Sequence, residues 1–156
     1  MTMSSRLLFL IGLLVIPTFA QIKPDNKLSK VPAEERARLI KRLNLYFEYE
    51  RVQKYEEQYE LVSNKAVSQP EPSERPSKEQ FIRENKEIDT RGTRFVPLKG
   101  KIRSVKIHSG PTDHPVYMIW IEMSVNYTGK TFKEDWLVEA HFEKGDWYFQ
   151  KHRFEI

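Results

Sequence analysis

The hydrophobic period of this chain changes once, near Phe95. Before that point apolar residues recur every three or four positions, and after it they alternate. The first spacing puts side chains on one face of a helix; the second puts them on one face of a strand. A single switch, helices first and strands last, predicts an α+β domain in which N-terminal helices pack on a curved antiparallel sheet.

In the helical part, Pro32 followed by AEER reads as a helix start, because proline has no N–H to leave unpaired in a first turn and early carboxylates complement the helix dipole. Leu39, Ile40, Leu43, Tyr46 and Phe47 form one stripe, and Val52, Tyr55, Tyr59 and Val62 form another. The two stripes are not collinear, which predicts a break near Glu50 to Lys54. SQPEPSERP, Ser68 to Pro76, is a loop: its prolines exclude helix interior and central strand. Ser77 with Gln80 three residues on is a capping box, and Gly92 closes the short helix it opens.

Four strands are expected. They lie within Phe95 to His108, over Val116 to Tyr127, over roughly Phe132 to Glu143, and over Trp147 to Phe154. The second and third and the third and fourth are joined by short Gly-bearing links, the mark of antiparallel hairpins. In the first strand Ile102, Val105 and Ile107 change parity, which predicts a bulge near Arg103-Ser104.

Residues 1–20 have the order of a secretory signal peptide. Arg6 precedes the apolar run LLFLIGLLVI, and Pro17 and small residues lead to a cleavage site after Ala20. An apolar stretch of about 14 residues is short of the roughly 20 that a membrane span needs. The competing reading is an uncleaved anchor. Residues 21–31 are then expected as a flexible spacer, and 32–156 as a single domain. The chain has no cysteine. Disulfides, thiolate metal sites and thiol nucleophiles are therefore excluded. Arg6 is one of 26 basic residues, and without it 25 face 22 acidic ones, an excess too mild to identify a partner.

Three pieces of the chain resemble the nuclear transport factor 2-like superfamily, also called cystatin-like or ketosteroid isomerase-like. They are YEEQYELVS (Tyr55 to Ser63), SKEQFIRE (Ser77 to Glu84) after a proline-rich loop, and EDWLVEAHFEKGDWYFQK near the C-terminus. The resemblance covers roughly Pro32 to the end. It implies a cone of bent sheet around a helix with a pocket at the open end. Its members include isomerases, dehydratases and non-catalytic binding or assembly modules, so fold alone does not choose among them.

In the isomerase-like members a carboxylate in an apolar pocket acts as general base, because desolvation raises its pKa toward working pH. Glu122 is the candidate for that role, with Trp120 and Tyr46 or Tyr49 as pocket walls. By parity, Trp136, Val138, Ala140 and Phe142 face the core, while Leu137, Glu139 and His141 take the wetter face. Trp136, Phe142, Trp147 and Phe149 then build interior and the histidines are bystanders. His108, His114, His141 and His152 show no HxH or HExxH spacing, so no metal is expected, and no cofactor motif is present.

Lys99, Lys101 and Arg103 lie in a segment, Arg91 to Lys106, with basic residues and no acidic one. They are candidates for docking to an anionic surface; the plainer reading is an edge strand whose charges discourage pairing. Together these features predict an exported, non-catalytic binding or assembly module for an unknown small ligand or protein partner. A homodimer through the sheet is possible in such folds, and nucleic acid is not expected. Membrane contact is expected only through an uncleaved signal segment or weak attraction to anionic surfaces. The alternatives are an isomerase- or dehydratase-type enzyme using Glu122, and a surface-docking protein using the basic strand.

Overall fold

The computed structural model describes residues 22–67, 73–110 and 112–153. The expected signal peptide lies outside these residues, as does the middle of the proline-rich loop. A short 3-10 helix, Asn26–Lys30, is followed by α1 (Ala33–Arg51), α2 (Tyr55–Tyr59), the two-residue strands β1 (Lys65–Ala66) and β2 (Ser73–Glu74), and α3 (Lys78–Thr90). The strands β3 (Val96–Ile107), β4 (Val116–Tyr127), β5 (Lys130–Glu143) and β6 (Asp146–Arg153) complete the chain. β3 to β6 form one antiparallel sheet in sequence order, and β1 pairs with β2 as a separate antiparallel ladder. This is the expected α+β architecture. Among the described residues no helix is long and apolar enough to cross a membrane.

The break in the helical region falls where the stripes diverge. α1 ends at Arg51, and Gln53 takes a left-handed backbone, φ 62°, before α2 begins. That conformation costs a residue with a Cβ about 1 kcal/mol or more, so the neighbouring packing must impose it. At α3, the Ser77 hydroxyl accepts a hydrogen bond from the Gln80 amide, and Gly92, φ 68°, follows the helix end. The bulge in β3 occurs between Ile102 and Ser104, as the parity change requires. A second register shift, between Pro97 and Lys99, has no counterpart in the apolar pattern.

One core cluster joins Leu39, Leu43, Tyr46 and Phe47 of α1 to Ile119, Ile121 and Met123 of β4, Trp136, Val138 and Ala140 of β5, and Trp147 and Phe149 of β6. The rings interlock: Phe47 lies 5.7 Å from Trp136 and Tyr46 lies 5.6 Å from Phe149, centroid to centroid. The Trp147 indole N–H donates to Glu35 at 3.1 Å. Tyr55 and Tyr59 turn instead toward α3 and its lead-in. The Tyr55 hydroxyl donates to Asp89, and Tyr59 packs its ring on Phe81 and donates to the Pro76 carbonyl.

Two expectations fail here. Residues 22–31 are not a loose spacer. Ile22, Leu28 and Val31 are buried in the core, Asn44 pairs with both the amide and the carbonyl of Ile22, and the Lys27 ammonium donates to the Ile102 carbonyl of β3. Apolar residues spaced six and three apart showed no period in a polar stretch, so their burial left no pattern to read. The second failure concerns the outer face of β5. Leu137, Glu139 and His141 are buried, because Ser63 to Val67 lies across that face. Val62 bridges to Phe149, and the Val67 amide donates to Glu139.

Candidate functional site

The residues proposed for a pocket do not share one. Tyr46 is buried in the main core, whereas Trp120 packs with Val116, Met118 and Leu137 in a second, smaller cluster. The Lys106 ammonium sits over the Trp120 ring, 5.2 Å from its centroid. Tyr49 is half-buried at the edge of the main core. Glu122 lies on the strand face shared with Trp120, where it pairs with Arg103 and, at 3.1 Å, with Lys133. Its carboxylate is thus engaged by two side-chain cations and does not line an apolar pocket.

Lys99, Lys101 and Arg103 are exposed on β3, an edge strand, and Arg103 is committed to Glu122. The basic residues therefore do not act as one unpaired stripe.

A cavity of about 270 Å³ opens where α1, α2, α3, the segment leading into β3 and β6 approach one another, and Glu50, Tyr55, Arg94 and Lys151 contribute to its lining. Its carboxylate is occupied. Glu50 pairs with the Lys151 ammonium, which also lies 4.5 Å from the Trp136 ring centroid. Arg94 donates to the Glu50 and Arg51 carbonyls and pairs with Asp89 at 3.3 Å. These contacts tie the end of α1 to α3 and to the last strand.

The most concentrated chemistry lies where Ser63 to Val67 crosses the outer face of β5. Glu139 and His141 are 0% exposed, although strand alternation alone would turn them to water. The His141 Nε2 stands 2.9 Å from Glu139, whose carboxylate also accepts from the Val67 amide at 2.8 Å and faces the His152 Nε2 at 2.8 Å. A proton on His141 Nε2 satisfies the carboxylate and leaves a lone pair on Nδ1. That Nδ1 faces the His114 Nε2 at 3.0 Å.

Glu143 completes the group. Its Oε1 is 3.7 Å from the His114 Nε2 and 4.0 Å from the His141 Nδ1. The Ser63 hydroxyl donates to that same oxygen at 2.6 Å, and the Asn64 amide donates to Oε2 at 2.8 Å. Burial pulls the His114 imidazole below its ordinary value, against the smaller opposing pull of Glu143. The neutral ring is the form that offers a lone pair.

No HxH or HExxH spacing is present, yet the fold gathers the residues: His114 comes from the β3–β4 connection, His141 and Glu143 from the end of β5, and His152 from β6. Pairing brings them together: Val116 lies opposite His141 and Leu137 opposite His152. The alternation Glu139-x-His141-x-Glu143 on one strand face was the only trace of this in the sequence. Fold and site together define a small α+β domain with a four-stranded antiparallel sheet and a His–Glu cluster on its outer face. Comparison with protein-family models, with curated proteins and with solved structures finds no match.

Proposed function

We propose that this chain is an exported, non-catalytic binding or assembly module of nuclear transport factor 2-like fold, meeting a protein partner or small ligand at its surface, a second copy included. The observation that carries the reading is the filled interior. Phe47, Trp136, Tyr46 and Phe149 interlock where this fold would otherwise hold a pocket. The cavity beside Glu50, about 270 Å³, falls below the roughly 300–1,000 Å³ usual for ligand pockets, and Lys151 pairs with its carboxylate; the larger hollows of about 580 and 500 Å³ are lined by residues of α3 and of the α2 region, with none from the sheet. Two register shifts in β3, of the kind that bend a strand, support the reading of a cone-shaped sheet.

Two measurements test it. The full chain, expressed with a secretory route available, is expected outside the cytoplasm with a mass that begins at Gln21. A protein kept inside with its first twenty residues intact overturns export. Glu122→Gln is expected to leave every measured activity at the wild-type level; loss of a turnover in that variant favours the enzyme instead.

A further inference from the structure

We propose that His114, His141 and Glu143 form a binding site for one divalent first-row transition metal ion of the zinc class. Imidazole nitrogen and carboxylate oxygen are ordinary zinc ligands, with bonds of roughly 2.0–2.2 Å. The three facing atoms, His114 Nε2, His141 Nδ1 and Glu143 Oε1, make a triangle with sides of 3.0, 3.7 and 4.0 Å. The point equidistant from the corners of such a triangle lies about 2.1 Å from each, inside that bond range. The spacing of the three atoms therefore suits a single ion. The two rings are not stacked; they are tilted by 54°, with centroids 5.2 Å apart.

The surroundings match what a bound metal requires. Metal-ligating histidines commonly donate their other ring N–H to a carboxylate, which fixes the tautomer and raises ligand basicity. His141 makes that contact with Glu139, and Glu139 is held by the Val67 amide. Ligating carboxylates are themselves hydrogen-bonded, and Ser63 and Asn64 serve Glu143 in this way. Two buried carboxylates, Glu139 and Glu143, offer the negative charge that a dication balances. The His114 side chain is 23% exposed, so the site has a route to solvent. Three protein ligands leave a coordination position for water or for a donor from a partner.

The test uses untagged full-length protein treated with chelator and then titrated with Zn²⁺ against a chromogenic competitor. One equivalent is expected to bind, and Co²⁺ in its place to give visible d–d absorption. His114→Ala is expected to weaken binding at least 100-fold. Its ring is partly exposed, so this variant keeps the fold, as tryptophan fluorescence would verify. Glu139→Gln, which touches no ligand atom of the metal, is expected to weaken binding about 10- to 100-fold. Zn²⁺ should raise the melting temperature of the wild type and not that of His114→Ala. Absence of saturable one-to-one binding below 100-micromolar order, or undiminished affinity in His114→Ala, overturns the site.

Discussion

Glu139 is sealed from water, and among the described residues the Val67 amide, His141 and His152 meet its carboxylate. These contacts replace the hydration that burial removes. Glu139→Ala leaves them without a partner and is expected to cost about 3–5 kcal/mol, with Glu139→Gln costing less, by urea unfolding. Tyr46 is a second residue whose chemistry depends on burial. Desolvation, then the charge of Glu50, raises its phenol well above the ordinary value, against the weaker pull of a Gln58 hydrogen bond. A raised native pKa means that folding favours the neutral phenol. The stability this contributes is complete below the unfolded value near 10 and falls as pH rises past it. Tyr46→Phe should therefore cost about 1 kcal/mol at neutral pH and yet move the alkaline unfolding midpoint upward. Strand parity put Trp136 and Glu139 on opposite faces correctly. It could not say that the second face is covered, because the covering segment pairs through an isolated bridge and a two-residue strand, too short to carry a period.

At the scale of elements, β3 is held close to the N-terminal segment. A Cβ placed on Gly100 would stand 2.7 Å from the Ile22 Cγ1 and 3.1 Å from the Ile121 Cγ2. The glycine is needed for close approach of the N-terminal segment to the strand. Gly100→Ala should destabilise the fold and raise hydrogen exchange in residues 22–31. In an Ile22→Ala background the added cost should shrink, and a double-mutant cycle measures the coupling, expected at about 0.5–3 kcal/mol. The strand boundaries, the bulge at Ile102 to Ser104 and the helix break were legible, because each leaves a mark in apolar spacing. The left-handed turn at Gln53 was not legible at its position, since no glycine or asparagine announces it.

For the whole molecule, the main departure from the sequence reading is where the packed body begins. A chain starting at Pro32 would lose the buried Ile22, Leu28 and Val31, each contributing roughly 1.5–3 kcal/mol when fully buried. Its unfolding free energy should fall by more than about 3 kcal/mol, read from the shift of a denaturant midpoint at constant slope. The His–Glu cluster was invisible for a related reason. His114 and His141 are 27 positions apart, and only the β4–β5 register makes them neighbours. Local pattern reports which way a side chain points along its own strand; it does not report what the rest of the chain later lays upon it.

Both rims of the large sheet are already stoppered. Residues 22–31 lean on β3, with Lys27 holding the Ile102 carbonyl. Leu61 and Ser63 exchange main-chain bonds with Phe149 of β6, and Arg42 takes the Trp147 carbonyl. At these points the rim groups are taken, so an incoming strand would have to displace them first. A variant that loosens either stopper should turn sticky before it unfolds.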